Sequence, residues 1–380
     1  VWIDPPRRAR QALNGALSLS GLTSRSLQEA LTWSPEASRR LRALVDECRP
    51  TLVVLDTIRA GQYFESPKDG ELRVLYMDDL FHLRFRRLLD VASNGDASID
   101  PAGTFAPMLP PMARAVMRVP AVRDMLYRIE MRKVEAREVE APGRFDRCLL
   151  INPNEAATLR ARSGRDNVHA SRPLLFPRDC TARREFAGAP QFLMFGSLRH
   201  PVYRASVLHF LRTCAEAIGR EMPDACIHLV GGGADEEVRA LCRDRAPRIE
   251  IHGFVPDAMP YFTRSCALLV PLAAAGGLKV KVLTALYYGL PILATDAALD
   301  GIPLLDGVSC VRENDVARFP AHMRRLCDAA FNERLSRNSM QAFREHYSRQ
   351  AVFTEYDALF DAAIPPASRN PLRAQDPVHA

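Results

Sequence analysis

The sequence lacks any run of the roughly 18 to 20 apolar residues that a membrane-spanning helix needs, and no leader-like segment opens it. Its nine cysteines include no Cys-x-x-Cys pair and no Cys/His cluster at the spacing of a zinc site. Scattered, odd-numbered cysteines give no disulfide framework, so a reducing, cytoplasmic compartment is expected. Neither a Walker A loop nor a Gly-x-Gly-x-x-Gly fingerprint occurs. Charge of one sign is not dominant either: the formal net charge is only +6 in 380 residues. That excess is too small to argue for nucleic acid, and none is expected as a partner. It favours small anionic ligands or an anionic membrane surface.

What is present is ample apolar material, 47% of residues against 25% charged, in a chain long enough for two domains. The stretch before Ser34 has no clear period. From there, "SPEASRRLRALVDE" has a serine N-cap and Pro35 at the first helical position. "TLVVLD" then reads as a buried strand and "LRVLYMD" as another. Helix followed by apolar strand, repeated, predicts parallel sheets. The rhythm resumes at "RCLLINPNEAATLRA" with a short strand near "PLLF". After a charged, aperiodic stretch a second α/β series begins, with strands at "QFLMFGS", "CIHLVGGG", "IEIHGF", "ALLVPL" and "PILATD".

Residues 107–133 differ from both series. Six basic and two acidic residues are interleaved there with Met, Val, Leu and Tyr in two helical stretches. That pattern suits either a helix lying on an anionic membrane or an ordinary core helix with solvated arginines.

The most informative stretch is "GGLKVKVLTALYYGLPILATD", residues 276–296. A glycine turn that opens a helix offers free backbone N–H groups and the positive end of the helix dipole, both of which attract phosphate. Lys281 adds a mobile positive charge about one turn in. The plainer reading is a strand terminator followed by solvated lysines.

Reading on from Phe192, the order of "GSL", "HLVGGGADEEVRAL", "RIEIHGFVPDAMPYF", "GGLKVKVLTALYYGLPILATD" and "GVSCVREND" resembles the donor domain of family 4, or group 1, glycosyltransferases. It is similar to a bacterial branch with the pattern G-x-x-x-K-x-x-E. The resemblance implies a GT-B fold, in which two Rossmann-like α/β domains face a central cleft and a C-terminal helix crosses back to the N-terminal domain. It implies retaining, metal-independent transfer of a sugar from a nucleotide-diphosphate sugar to a polysaccharide, glycolipid or other acceptor. No cofactor beyond the donor substrate is implied, and a lipid-linked acceptor would favour peripheral contact with the inner face of a membrane.

The implied domains are an acceptor-side domain over 1–176, a linker over 177–190, a donor domain over 191–347, a crossing helix over 348–365 and a loose tail over 366–380. Val1 opens the chain with no strand and Gly-rich loop before the first readable helix, so the acceptor domain is expected to lack its first strand.

Carried over residue by residue, Gly276, Gly277 and Leu278 form the donor-helix entry, and Lys281 reaches the diphosphate. Gly196 and Ser197 form the first donor loop, with Arg199 or His200 as the basic residue beyond it. Phe254 and Val255 flank the base, or else are core. Thr284 stands where the family has a glutamate for the ribose hydroxyls, and Gly276 where other branches have a first glutamate. This departure leaves a second reading open, that of a truncated or catalytically impaired homologue that binds nucleotide or acts as a scaffold. On the acceptor side, Asp78, Asp79, His82 and Arg84 follow a predicted strand. Asp79 is the candidate to hydrogen-bond a sugar hydroxyl, with helix capping as the alternative.

Overall fold

The computed structural model describes residues 6–64, 72–93, 119–176, 180, 184–186, 188–243, 247–273 and 277–361. The chain forms two compact units. The first comprises residues 1–80, 129–172 and 352–380, and the second 81–128 and 173–351. Phe81–Arg128, within the 1–176 segment of the sequence reading, thus groups with the second unit. The helical stretch "MARAVMRV", apart from its last residue Val119, and the tail after Pro365 lie outside the described residues.

In the first unit, β1 (Leu52–Asp56), β2 (Leu72–Asp78), β3 (Arg147–Leu150) and β4 (Val168–Ala170) form one parallel sheet in that order. β4 lies a few residues before the expected "PLLF" strand, which starts at a proline with no N–H for a ladder. β1 is not the buried strand that its apolar run suggests. It sits at the edge of the sheet, and Val54 is 53% exposed. Leu359, from the Arg349–Asp361 helix, packs with Val74 and Leu149 of β2 and β3.

The aperiodic N-terminal stretch folds into two helices, Arg8–Leu19 and Leu27–Thr32. Their anchors are polar and come from the distant helix Pro120–Glu140. Lys133 Nζ donates to the carbonyls of Ser18 (2.6 Å) and Thr23 (2.8 Å). Glu130 accepts from the N–H groups of Leu27 (2.6 Å) and Gln28 (3.1 Å). Arg137 pairs with Glu29 at 3.0 Å, both side chains buried. Lys133, one of the basic residues of the 107–133 segment, is therefore engaged within the first unit.

The second unit holds β5 (Gln191–Phe195), β6 (Cys226–Val230), β7 (Arg248–Gly253), β8 (Ala267–Val270), β9 (Ile292–Ala294) and β10 (Val311–Arg312). All pairings are parallel, in the order β10-β9-β8-β5-β6-β7. This is the doubly wound arrangement, built outward in both directions from β5 and β8. Those central strands are entirely apolar where they meet, with Phe192, Leu193, Leu268 and Leu269 all fully buried. The residues between β4 and β5 are not free of the fold. Arg184 donates to Asn332 (2.6 Å) and to the carbonyls of Ser265 (3.0 Å) and Cys266 (3.2 Å).

Removing one partner of a buried pair strands the other charge at a cost of about 3–5 kcal/mol. Arg137→Ala should therefore lower the urea midpoint of unfolding strongly, whereas Arg162→Ala, whose pair with Glu135 is more exposed, should move it by less than about 1 kcal/mol. Equal midpoints for the two variants would contradict the assignment of Arg137 as the N-terminal anchor.

Candidate anion site at the carboxyl edge of the second sheet

A doubly wound sheet opens a crevice outside its carboxyl edge where the strand order reverses. Here the reversal lies between β5 and β8. The turns leaving β5, β6 and β7 are stitched together by backbone bonds. Gly196 donates to Val230 (2.9 Å), Leu198 to Gly232 (2.8 Å) and Gly231 to Gly253 (2.7 Å). So close an approach requires glycine. A Cβ on Gly231 would stand 1.9 Å from the Gly196 carbonyl oxygen, and φ there is +139°.

Gly196 leaves room of a different kind. A Cβ at that position, with φ +150°, would lie 2.5 Å from Lys281 Nζ. Lys281 sits in the first turn of the helix Val280–Tyr288. Its ammonium rests over the ring of Tyr203, 3.4 Å from the centroid. Among the described residues it makes no hydrogen bond or ion pair. Desolvation, and then the charge of Lys279, pushes its pKa down to about 7. A desolvated ammonium with no anionic partner calls for a negative ligand.

The surroundings add to the demand. Lys279 is the N-cap of the Val280–Tyr288 helix, and its Nζ donates to the Gly277 carbonyl at 2.6 Å. His200 is the N-cap of the helix Pro201–Glu221. Neither helix has a side-chain cap, so their first N–H groups receive no such bond. His200 is held below the usual imidazole range by desolvation and by the charges of Lys281, Lys279 and Arg84. Arg84, on the helix Phe81–Ser93, thereby joins this electropositive cluster.

The structure thus brings Gly196, Ser197, Gly277 and Lys281 to one edge of the second unit. Leu278 is buried beneath it, and Gly276 lies outside the described residues. The helix begins at Val280, so the glycine turn precedes the cap instead of forming the first turn. Phe254 is 84% exposed, an unusual state for phenylalanine, directly after the left-handed Gly253 that ends β7. Val255 is half-buried beside it. Thr284 lies one turn beyond Lys281 on the same helical face. Its hydroxyl donates to the Val280 carbonyl at 2.9 Å and is partly exposed. Tyr203 was not legible as a site residue. Its hydroxyl is buried with no hydrogen-bond partner among the described residues, and only the ring has an evident use, as a seat for Lys281.

The acceptor-side candidates fall in different units. Asp78 ends β2 and Asp79 follows it, both in the first unit, whereas His82 and Arg84 belong to the second. Asp78 has φ +68°, and Thr57, directly after β1, has φ +66°. Non-glycine residues in the left-handed region are costly, and two at one carboxyl edge mark a constrained surface. Asp79 is buried, as is His82.

Residues 189–329 match the family model described as "Glycosyl transferases group 1". This segment is a group 1 glycosyltransferase domain. No curated protein matches the chain. Among solved structures, TarM superposes with a TM-score of 0.60 at 8% identity, over 84% of this chain and 57% of that one. An S. aureus TarM mutant in complex with fondaparinux, alpha-GlcNAc-glycerol and UDP gives 0.57 at 10% identity, over 81% and 55%. Sucrose-phosphate synthase from Thermosynechococcus elongatus gives 0.57 at 14% identity, over 88% and 78%. The chain spans a little over half the length of TarM. Likeness at this distance fixes the fold: two α/β units with parallel sheets, GT-B.

The glycosyltransferase domain's Lys281 has a testable signature of its own. Its folded pKa of about 7 lies well below the unfolded value near 10.4. The charge therefore opposes folding below pH 7, and this penalty is relieved as pH rises from about 7 to 10. Lys281→Met should melt no lower than the parent at pH 7, and the difference between them should shrink as the pH is raised. A Lys281→Met protein that melts well below the parent would assign the lysine a structural role instead.

Proposed function

We propose that the protein transfers a sugar from a nucleotide-diphosphate sugar to a saccharide acceptor, with the donor diphosphate held at Lys281. The observation that carries this is the unpaired, desolvated ammonium at the switch point of a group 1 glycosyltransferase domain. In the reaction the bond from sugar C1 to the diphosphate oxygen breaks and one from C1 to an acceptor hydroxyl oxygen forms. The nucleoside diphosphate leaves with the bonding electrons, and the hydroxyl proton passes to the departing phosphate. Lys281 and the uncapped N-termini at Lys279 and His200 lie where that developing charge needs stabilising. This positive set is the support for a metal-independent transfer. Retention at C1 rests on the family resemblance, and Asp78 and Asp79 are assigned to the acceptor. Exposed Phe254 is placed to cover the base.

Calorimetry with UDP, GDP and ADP tests the donor site. At least one should bind in EDTA, as tightly as with Mg²⁺. A phosphate beside Lys281 raises the ammonium pKa, so the contribution is complete below about pH 7 and fades as pH rises through the higher bound-state value. Lys281→Met should cost about 1.5–3 kcal/mol, the range for charge-assisted hydrogen bonds, or roughly 10- to 150-fold in Kd. Dependence on Mg²⁺, or no binding at all, would remove the reading.

Thr284 favours a second reading, a nucleotide-binding homologue with impaired transfer, because its hydroxyl is already turned to the Val280 carbonyl. A carboxylate there can accept from both ribose hydroxyls, which is worth roughly 1–2 kcal/mol more than one neutral contact. Thr284→Glu should tighten nucleotide binding about five- to thirtyfold without lowering the melting temperature, since the site is partly exposed. A Thr284→Glu protein with restored sugar release would favour the impaired homologue, and a parent already active would favour the enzyme.

Peripheral membrane contact belongs to the same proposal. On the helix Pro120–Glu140, Met125, Arg128 and Arg132 are exposed on one face, an apolar and basic stripe suited to anionic headgroups. Among the described residues, no helix is long and apolar enough to cross a membrane. Cosedimentation should show binding to anionic vesicles, reduced by Arg128→Glu/Arg132→Glu, and little to neutral ones. Equal, negligible recovery with both would dismiss it.

A further inference from the structure

On one face of the second sheet, β6 and β7 gather a group of side chains that the transfer reaction does not use. Cys226 and His228 lie two apart on β6, and Glu250 and His252 two apart on β7, so each pair projects from one face of its strand. The parallel register sets His228 directly opposite Glu250. The result is a triangle of donor atoms. His228 Nδ1 is 3.1 Å from His252 Nε2 and 3.3 Å from Glu250 Oε2, and His252 Nε2 is 3.4 Å from that same oxygen. Cys226 offers a sulfur within 4.8 Å of the ligand atoms of His228 and Glu250.

Hydrogen bonding alone serves this triangle poorly. A ring nitrogen carries at most one hydrogen, and His228 Nδ1 faces two partners at once. If both nitrogens donate to the carboxylate, their hydrogens crowd each other. If one stays bare, only one ring bonds to the oxygen. A cation at the centre uses all three lone pairs together. Four ligands tetrahedrally placed at about 2.0–2.1 Å, the usual zinc–nitrogen and zinc–oxygen distance, are roughly 3.3 Å apart, which matches the triangle. The other oxygen of Glu250 is paired with Arg248, which turns Oε2 towards the histidines. The ring of Tyr261 packs against both imidazoles, with centroids 5.7 Å from His228 and 4.8 Å from His252. The side chains of His228, Glu250 and His252 are only partly covered, so an ion has a way in.

We propose that His228, Glu250 and His252, with Cys226 as the fourth ligand, bind one zinc ion that pins the edge strand β7 to β6. Imidazole and thiolate favour zinc over magnesium or calcium. His252 directly precedes Gly253, so the ion lies on the sheet face next to the turn that ends β7, where its role is to hold that turn and not to take part in the transfer. The sequence alone gave no sign of it, because Cys-x-His and Glu-x-His on two strands match no zinc-finger spacing.

The test uses the full chain, freed of metal with a chelator and dialysed, then titrated with zinc chloride in a calorimeter and, separately, with cobalt chloride in a spectrophotometer. The parent should take up one equivalent and melt at a higher temperature when loaded. His228→Gln and His252→Gln should each weaken zinc at least tenfold, with far-UV circular dichroism confirming that they fold. Cys226→Ser should keep the equivalent but lose the thiolate-to-cobalt charge-transfer band. A parent that takes up no zinc, or histidine variants that bind as tightly as the parent, would overturn the site. A charge-transfer band that survives Cys226→Ser, or is absent from the parent, would strike the sulfur from the ligand set.

Discussion

The contact on which the proposed donor site depends is that of Lys281 with the face of Tyr203. A ring face attracts an ammonium by about 0.5–2 kcal/mol, far less than full hydration provides. The contact therefore positions the charge without satisfying it. That is the useful condition for a ligand site: an ammonium neutralised by a carboxylate would have to give up its partner before phosphate could bind. The geometry is permitted only because Gly196 has no Cβ, which would stand 2.5 Å from Nζ. Gly196 in turn is held by Val230 and crowded by Gly231. One lysine rotamer thus depends on turns from two neighbouring strands.

Strand order explains why these turns meet. Chain propagation outward from β5 and β8 leaves their carboxyl ends uncovered by a crossover, and helices starting after them aim their N-termini into the gap. The Pro201–Glu221 helix follows β5, and the Val280–Tyr288 helix follows β8. In the first unit, two of the three non-glycine residues in the left-handed region lie at the corresponding edge, Thr57 after β1 and Asp78 at the end of β2, while the third, Arg49, caps the Pro35–Cys48 helix.

Much of this was legible. The strands of the second unit are short apolar runs bounded by glycine or proline, and residues 276–296 state a glycine turn, a lysine, a helix and a strand in order. Four things were not. The helices before Ser34 are held by Glu130, Lys133 and Arg137, residues about a hundred positions away, and local periodicity carries no record of such anchors. β1 has the composition of a buried strand but the place of an edge strand, and composition does not report neighbours. Tyr203 reads as an ordinary core aromatic within a helix, and its use appears only when Lys281 lies over it. The glycine at 231 was visible as a turn, but the 1.9 Å approach that requires it was not.

The pairing of β6 with β7 poses one mechanical problem. β7 is an edge strand with a single neighbour, and none of its residues is fully buried. Apolar packing therefore holds it weakly, yet its carboxyl end sets Gly253 against Gly231 at 2.7 Å and carries the exposed Phe254. Slippage of β7 by one residue would turn every side chain to the opposite face and move that loop. Side chains within the pair itself oppose such slippage. His228 opposite Glu250, with His252 completing the triangle, fits only one register, since a one-residue shift would separate the rings from the carboxylate. The polar cluster does for β7 what burial does for β5 and β8: it fixes where the strand ends, and so where the loop beyond it stands.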